Sequence, residues 1–364
     1  MLVKLKDIAE ITMGQSPDSK YYNNNQNGLP FLQGRTTFGR MFPYYDTWAS
    51  VYSKVAHSDD ILMSVRAPVG DLNICQTTTA IGRGIASIRG INISTKYLYY
   101  LLLANKNHIC TRSTGSVYDS ISRPDLENLN FNIHNSQDQS HIVNILGTID
   151  DKIESLEKIN NKILTLATAD YKNLFSNCDT FSQISEIAWM KSGFAFKSEW
   201  WTNKGIPVIK IANISDSLNM NNCSFICEDK AELAKDFIAN VGDIVLAMTG
   251  ATLGKFCLIP KHDGKYLINQ RVGRFEIKAD NLPFLYCTLN SKEVSDAIIN
   301  LASGSAQPNI SANSINLLKI KYAYHLVKLF NGKYYNLFLQ ITDNIFLMQK
   351  LTELKSLYLK KFFN

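Results

Sequence analysis

The chain has 364 residues, of which 45% are hydrophobic and 19% are charged, and its formal net charge is +6. This length allows two or three domains that each bury a core, and the composition is that of a soluble globular protein. The longest apolar run, Tyr97 to Ala104, is too short to span a bilayer, and the N-terminus lacks a signal-peptide pattern. We therefore expect a cytoplasmic protein that contacts no membrane.

The seven cysteines predict reduced, mostly buried thiols. Five of them stand alone in the sequence. Cys223 and Cys227 lie four residues apart, but no second Cys or His pair at zinc-like spacing accompanies them. We expect no metal and no cofactor on this chain.

Residues 1–136 are predicted to form a mixed α/β domain. Leu29–Leu32 and Ile61–Val65 are typical of buried strands, because short apolar runs are bounded there by Gly, Pro or Asp. Ser94 is a candidate N-cap for a helix over residues 97–106.

Residues 137–175 are predicted to form a central spacer helix. Apolar residues recur there in alternating steps of four and three, which is a heptad seam. Asn160 falls on this seam, where it either fixes the register of a coiled coil or is an Asn that an ordinary amphipathic helix tolerates. The seam residues that we expect to pack at a helix pair or partner interface are Ile142, Leu146, Ile149, Ile153, Leu156 and Ile163.

Residues 176–324 repeat the mixed pattern as a second domain, and residues 325–364 are predicted to form a C-terminal spacer helix. Its periodicity is clear from about Tyr334 and brings Ile341, Ile345 and Met348 onto one face. Two long helices, each following one globular domain, are expected to pair with each other. The alternative is that their apolar residues pack only within their own domain.

The two halves of the chain repeat each other. Gly14 follows Ala9 by five residues, and Gly193 follows Ala188 by five. Later in each half, Ser120-Ile121-Ser122 is matched by Asn309-Ile310-Ser311. A repeat of this length indicates two similar domains, which suit a ligand that itself has two similar parts.

Three loops at corresponding places combine small residues with basic, amide or hydroxyl side chains. Small residues let the backbone approach a ligand, and their amides can bind phosphate. Arg suits guanine edges, Gln and Asn suit adenine, and Ser or Thr suit either; alternatively, the Gly and Pro residues only build turns. The loops are 64–70 opposite 248–255, 81–84 opposite 269–272, and 113–118 opposite 302–307.

These loops and the slightly basic charge favour nucleic-acid binding. The first domain has seven arginines and the second has two, so we expect the halves to prefer different sequences. The candidate DNA-binding residues are Arg35, Ser64, Arg66, Arg83, Ser116, Tyr118, Lys210, Thr249, Thr252, Lys255, Gln270, Arg271, Ser305 and Gln307.

The order of these motifs resembles the specificity (S, or HsdS) subunit of type I restriction–modification systems over essentially the whole chain. The resemblance rests on the openings 5–14 and 184–193, the strand–loops 60–70 and 243–255, and the stretches 115–116 and 304–309. It implies an α+β fold in which two similar mixed α/β target-recognition domains are separated by two long antiparallel helices. Residues 135–139 are close to the Gln-rich helix entry of the family, whereas residues 325–332 lack it.

The resemblance also implies a function. Each domain would read one half of a bipartite, asymmetric site in double-stranded DNA, and the helix length would set the unread gap. The helices would dock two methyltransferase (M) subunits and two restriction (R) subunits. The chain itself would be non-catalytic, with S-adenosylmethionine, ATP and Mg on the partner subunits.

Two other functions are open. Asp263 upstream of Glu276-Ile277-Lys278 loosely fits a metal-dependent nuclease, although the first-half counterpart Ser87-Ile88-Arg89 lacks the carboxylate. The other is a protein-interaction scaffold whose helices bind partners. The sequence contains no Walker A loop, no His-Glu-x-x-His and no Asn/Asp-Pro-Pro-aromatic tetrapeptide.

Overall fold

The computed structural model describes residues 1–111, 120–221, 223–278, 280–302 and 309–363. The chain divides into two compact units. One unit is Met1–Asp151 with Thr352–Asn364, and the other is Lys152–Leu351. Each unit contains one sheet-rich domain and a segment of each of two long helices.

Within the described residues, the two halves have the same succession of strands. Those of the first half are β1 Leu2–Lys4, β2 Ala9–Met13, β3 Tyr22–Asn23, β4 Leu29–Leu32, β5 Trp48–Ala49, β6 Val55–Ala56, β7 Ile61–Ser64, β8 Leu72–Ile74, β9 Thr79–Ile81, β10 Ile85–Gly90 and β11 Asn130–Asn132. Those of the second half are β12 Phe181–Gln183, β13 Ala188–Ser192, β14 Trp201–Thr202, β15 Ile206–Ile209, β16 Ser224–Ile226, β17 Ile238–Ala239, β18 Ile244–Ala247, β19 Phe256–Leu258, β20 Tyr266–Ile268, β21 Val272–Ile277 and β22 Lys319–Lys321.

The α-helices are short in both domains, apart from one long helix after each. The first half has α1 Leu5–Ile8, α2 Thr95–Ala104, α3 Lys106–Cys110, α4 Arg123–Glu127 and the long α5 Ser136–Phe175. The second half has α6 Ile184–Ile187, α7 Glu228–Ala231, α8 Leu282–Asn290, α9 Lys292–Asn300, α10 Ala312–Asn316 and the long α11 Tyr324–Phe363. None of the helices, in the part of the chain that the structure describes, is both long and apolar enough to cross a membrane.

The sheets of the two halves are connected identically. The first half has the orders β1-β11, β2-β10-β7-β8 and β3-β5-β4-β9-β6, and the second has β12-β22, β13-β21-β18-β19 and β14-β16-β15-β20-β17. Pairing is antiparallel except for β4 with β9 and the matching β15 with β20. The fold is therefore α+β with one sheet domain repeated, as the sequence predicts.

Local sequence signals account for several element boundaries. The predicted strand Leu29–Leu32 is observed with those bounds, and the predicted strand Ile61–Val65 is observed as Ile61–Ser64. All four residues of the latter are buried, which explains the apolar run Ile61–Met63, and the fourth residue is Ser64. Ser94 caps α2 by accepting a hydrogen bond from the Tyr97 amide, so the helix begins at Thr95.

Gly14 and Gly193 are repeated because neither site has room for a side chain. A Cβ at Gly14 would lie 2.2 Å from the Gly82 carbonyl oxygen. A Cβ at Gly193 would lie 2.3 Å from the Ile268 carbonyl oxygen. The end of β2 therefore lies directly against the backbone that precedes β10, and the end of β13 lies against the backbone that precedes β21.

The two long helices run antiparallel in each unit. In the first unit, Asp150 contacts Lys355 and the ring of His141 lies near that of Phe362. In the second, Asp170 contacts Lys333, and Asn160 contacts Asn344. In both units, residues later in α5 meet residues earlier in α11, as antiparallel helices require.

Helix α11 begins at Tyr324, well before Tyr334, where its periodicity becomes clear in the sequence. Val327 and Phe330 in its first turns are buried in the core of the second unit. Because most helix stability in proteins comes from such packing, the start does not need the Gln-rich entry that residues 325–332 lack.

Candidate nucleic-acid interface

In the second domain, several strand ends and loops surround one polar cleft with a volume of about 850 Å³. It lies where β13 ends, β18 ends, β21 begins and the chain enters α10. Its walls combine exposed polar side chains with the edge of the buried core. The lining residues are Ser192, Ile211, Met248, Thr249, Gly250, Gln270, Arg271, Asn309, Ile310, Ser311 and Ala312.

Backbone hydrogen bonds hold this cleft together. The Met248 amide donates to the Arg271 carbonyl at 3.0 Å, and the Ile310 amide donates to the Met248 carbonyl at 2.9 Å. Thr249 and Asn309 form an isolated antiparallel bridge. Met248, the residue after β18, is thus held between Arg271 and Ile310.

The first domain has the same set of backbone hydrogen bonds, and we call this set the frame of each domain. The Val65 amide donates to the Gly84 carbonyl at 2.9 Å, and the Ile121 amide donates to the Val65 carbonyl at 3.1 Å. Arg66 and Ser120 form the matching bridge. Arg66 therefore corresponds to Thr249, and Ser120 corresponds to Asn309.

The shared hydrogen bonds also correct the correspondence of the second loop. The sequence comparison sets Ile81–Gly84 opposite Asn269–Val272, which would match Arg83 with Arg271. In the structure the equivalent carbonyls are those of Gly84 and Arg271, so the alignment moves by one residue. Arg83 then corresponds to Gln270.

The side chains that the two frames present are exposed and unlike. In the first domain they include Arg66 and Arg83, and in the second they include Gln270, Arg271 and Lys255. Within the described ranges, none of these five side chains makes a hydrogen bond or an ion pair. No described residue therefore competes with a ligand for their donors and acceptors.

Ser64 and Arg35 are engaged within the first domain. Ser64 is 1% exposed; its hydroxyl donates to the Pro68 carbonyl at 2.8 Å and accepts from the Asp71 amide at 2.9 Å. The Arg35 guanidinium pairs with the Asp71 carboxylate at 2.7 Å while remaining half-exposed. Ser64 builds the turn that carries Arg66, and its hydroxyl is not presented to solvent.

Thr252 and Lys210 are partly buried in the second domain. The Thr252 hydroxyl donates to the Ile211 carbonyl at 3.2 Å. The Lys210 ammonium donates to the Ser224 hydroxyl at 2.8 Å and lies 3.6 Å from the centre of the Trp201 ring. Desolvation lowers the pKa of Lys210. Four further candidates, Ser116, Tyr118, Ser305 and Gln307, lie outside the described residues.

Sequence reasoning omitted several residues of these frames. Ser192 and Asn309 line the cleft, and Ser16 accepts a hydrogen bond from the Arg83 amide at 3.1 Å. The repeat itself contains a signal for Asn309, because Asn309-Ile310-Ser311 matches Ser120-Ile121-Ser122. No comparable pattern distinguishes Ser16 from other loop serines.

A family model for the type I restriction modification DNA specificity domain matches residues 1–165 and 180–323. The chain belongs to this family. The two matches fall on the two halves of the chain, so the specificity domain occurs twice. Recognition of DNA sequence is the role that the family description assigns to this domain.

Two relatives come from Methanocaldococcus jannaschii. The putative type I restriction enzyme MjaX specificity subunit is 37% identical over 166 residues, which are 43% of this chain and 39% of that protein. The type I restriction enzyme MjaIX specificity subunit is 20% identical over 285 residues, which are 69% of this chain and 66% of that protein. The chain therefore spans less than two thirds of the length of either relative.

A solved structure of the same family has the same fold. The type I restriction–modification S subunit from M. genitalium superposes with a TM-score of 0.64 at 18% identity. The match covers 100% of this chain and 96% of that one. At 18% identity, this likeness shows that the two chains have the same fold.

The residues of the nuclease alternative are engaged with different partners in this specificity-family chain. Asp263 pairs with Lys350 at 3.0 Å, and Lys278 donates to the Ser185 carbonyl at 2.7 Å. A hydrogen bond from Lys191 lowers the pKa of Glu276. Across the described ranges, no three His, Cys, Asp or Glu side chains are grouped as metal ligands would be.

The helix residues chosen for a pairing interface are buried or half-buried. Ile142 and Leu146 belong to the apolar core that also contains the sheet of the first domain. Ile163 and Ile341 belong to the corresponding core of the second unit. The remaining residues are Ile149, Ile153 and Leu156, which are buried, and Ile345 and Met348, which are half-buried. The long helices thus pack against the domains as well as against each other.

Proposed function

We propose that this chain is the DNA-reading subunit of a type I restriction–modification complex and recognises a bipartite, asymmetric site in double-stranded DNA. Each target-recognition domain, 1–136 and 176–324, reads one half. The observation that carries the proposal is the repeated hydrogen-bonded frame, which presents Arg66 and Arg83 in one domain but Thr249 and Gln270 in the other. One frame with unlike side chains suits two unlike half-sites.

The chemistry of these side chains matches the edges of DNA bases. Arg66 and Arg83 can each donate two hydrogen bonds to guanine, and Gln270 can pair with the edge of adenine. Thr249 suits more than one base through its hydroxyl. Lys255 and Arg271 suit phosphate contacts, which position a protein on DNA without reading the sequence.

The long helices at 137–175 and 325–364 support the spacing of the two half-sites and the assembly of the complex. Their length sets the number of unread base pairs between the halves. They also dock two methyltransferase subunits and two restriction subunits. The chain itself performs no catalysis: S-adenosylmethionine acts on the methyltransferase, ATP and Mg act on the restriction subunit, and the complex works in the cytoplasm.

Methylation mapping tests this proposal. The chain is co-expressed with the methyltransferase encoded beside it in a host without related systems, and modified bases are read across the genome. We expect one methylated motif with two unlike halves separated by a gap of fixed length. Controls are the methyltransferase alone and the methyltransferase with another specificity subunit, which shows that the enzyme is active. An active methyltransferase that gains no motif from this chain contradicts the proposal.

Binding of the purified chain to duplex DNA distinguishes the alternatives. A DNA reader that contacts phosphates loses affinity steeply as salt rises, whereas a peptide-binding scaffold does not. Incubation of plasmid DNA with the chain and magnesium should leave the DNA intact. Cleavage would support the nuclease that uses Asp263, Glu276 and Lys278.

A further inference from the structure

The two long helices contain two buried polar pairs. In the second unit, the Asn344 side-chain amide donates to the Asn160 side-chain oxygen at 2.7 Å, and the two residues are 8% and 7% exposed. In the first unit, the Lys355 ammonium donates to both carboxylate oxygens of Asp150 at 2.7 Å, and Asp150 is 1% exposed. Each pair joins one residue of α5 to one residue of α11.

The Asp150 carboxylate is satisfied from several directions. The Tyr100 hydroxyl donates to it at 2.8 Å, and the Arg40 guanidinium lies 3.4 Å away. Burial raises the pKa of Tyr100, so its hydroxyl remains a donor. Desolvation lowers the pKa of Lys355, and the Asp150 carboxylate opposes that shift. Lys355 is therefore the counter-ion that the other helix supplies to Asp150, and it contacts both carboxylate oxygens.

The internal repeat makes the two helices comparable position by position. Both begin directly after the last strand of their domain, at Ser136 and Tyr324, and both have 40 residues. When these starts are aligned, buried positions coincide. The coincident pairs are Ile142 with Phe330, Leu146 with Tyr334, and Ile153 with Ile341.

The polar positions do not coincide. Asp150 aligns with Phe338 and Asn160 aligns with Met348, while Lys355 aligns with Ala167 and Asn344 aligns with Leu156. Phe338 and Ala167 belong to the apolar core of the second unit. Each polar residue of one helix is thus replaced by an apolar residue at the equivalent place in the other helix.

This asymmetry has a consequence for which helices can pair. If a second α5 took the place of α11, Ala167 would replace Lys355 opposite Asp150, and Leu156 would replace Asn344 opposite Asn160. If a second α11 took the place of α5, Lys355 would face Phe338 and Asn344 would face Met348. A buried charge or amide that loses its partner is strongly destabilising, whereas the matched pair is tolerated.

We infer that the two buried polar pairs select α11 as the partner of α5 and discriminate against pairing of either helix with the same helix of a second copy. A single buried Asn is known to specify the register and oligomeric state of a coiled coil, at a cost in stability. Pairing between the first halves of two copies, or between their second halves, is then disfavoured. The inference does not depend on whether the chain reads DNA.

Co-purification of two differently tagged full-length chains tests this inference. The test variant takes the aligned residue of the other helix at all four positions: Asp150→Phe, Lys355→Ala, Asn160→Met and Asn344→Leu. Self-pairing of either helix then leaves no polar side chain unpaired at these four positions. We expect recovery of the second tag to rise at least tenfold over the wild type.

Two further variants make the result specific. Asn160→Met with Asn344→Leu leaves the ion pair in place and should raise recovery at least threefold. Lys333→Ala removes the exposed cation of an ion pair between the same helices and should leave recovery at the wild-type level, because water replaces the ammonium and the Tyr334 hydroxyl still donates to Asp170. This second variant is the matched control for loss of a polar contact.

The outcomes decide the inference in either direction. Mixed complexes that increase only when the buried pairs are made apolar support it. Equal recovery in the wild type and in both apolar variants overturns it, whether that recovery is high or low. Far-ultraviolet circular dichroism identifies a variant that fails to fold. If the fourfold variant is unfolded, the Asn160→Met, Asn344→Leu variant alone decides.

Discussion

Some arginines of this chain are exposed and others are held by internal partners, and the sequence does not distinguish the two kinds. Arg271 is exposed at the cleft of the second domain, whereas Arg274, three residues later, is 8% exposed. Arg274 pairs with Glu276 and lies 3.8 Å from Asp243. An arginine in a recognition domain is a candidate base reader only when its guanidinium has no such internal partner.

Replacing Arg66 or Gln270 with Ala should weaken binding to the cognate duplex by about 1–3 kcal/mol and relax one position of the site. The reason is that each side chain is exposed on the repeated frame and makes no hydrogen bond to any residue that the structure describes. Competition binding with duplexes that vary one base pair at a time measures both effects. Lys158→Ala, which removes an exposed charge from α5, serves as the control. If both variants keep the target sequence and the affinity, these loops do not read the bases.

Asp243 should make stability depend on pH. Burial raises its pKa to about 6, although the nearby Arg274 opposes the shift. Between its ordinary value of 3.8 and about 6, the folded chain holds a proton that the unfolded chain releases. The stability contributed by this group is therefore present below the lower value and is lost as pH rises to about 6.

The variant Asp243→Asn isolates this effect, because its neutral amide can still accept the hydrogen bond from the Asn240 amide. Relative to the variant, the wild type should lose on the order of 2 kcal/mol of unfolding free energy between pH 4 and pH 7. Urea unfolding of both proteins across this range measures it. A difference that does not change with pH would show that Asp243 titrates normally.

At the scale of elements, the long helices combine good packing with local weaknesses. Gly147 lies within α5 and Gly332 within α11, where glycine is unfavourable because it loses more backbone entropy than alanine. A Cβ at Gly147 would meet only the Tyr100 hydroxyl, at 3.9 Å, and one at Gly332 would meet nothing within 4 Å. Both helices have room for a methyl group at these positions.

Gly147→Ala and Gly332→Ala should each raise the free energy of unfolding by about 0.5–1 kcal/mol. Thermal or urea unfolding monitored by circular dichroism measures the change. Gly193→Ala is the contrasting variant and should be strongly destabilising, because its Cβ would lie 2.3 Å from a backbone carbonyl oxygen. Equal effects of all three changes would contradict the packing described for these positions.

At the scale of the whole molecule, the same three sheets are built twice from sequences that have diverged. Each strand of the first half pairs as its counterpart does in the second half. The connectivity is retained because most buried positions of each sheet remain apolar, as at Ile61–Met63 of β7 and throughout β18. The side chains that the frames present to solvent are not constrained by packing in the core. There the first half has Arg66 and Arg83, and the second half has Thr249 and Gln270.

Replacing residues 176–324 with the corresponding domain of another specificity subunit should change one half of the methylated motif and leave the other half unchanged. The gap should also stay the same, since α5 and α11 are retained. Methylation mapping of the chimaera with the active methyltransferase measures this. A change in both halves would contradict the assignment of one half-site to each domain.

The sequence by itself determined the doubled organisation, several buried strands, the cap of α2 and the periodicity of the long helices. These features depend on neighbours close along the chain, so that local spacing of apolar and capping residues reveals them. Asn160 is likewise visible as a polar residue on a heptad seam, because the seam belongs to one helix.

Only the tertiary structure decided which polar residues are engaged and with what. Ser64 and Arg274 resemble loop and surface residues in sequence, yet folding buries them against internal partners. The correspondence of Arg83 with Gln270, and the pairing of Asp150 with Lys355 on the other helix, are contacts between distant parts of the chain. Local patterns do not encode such contacts, because burial and hydrogen bonding are settled when remote segments pack together.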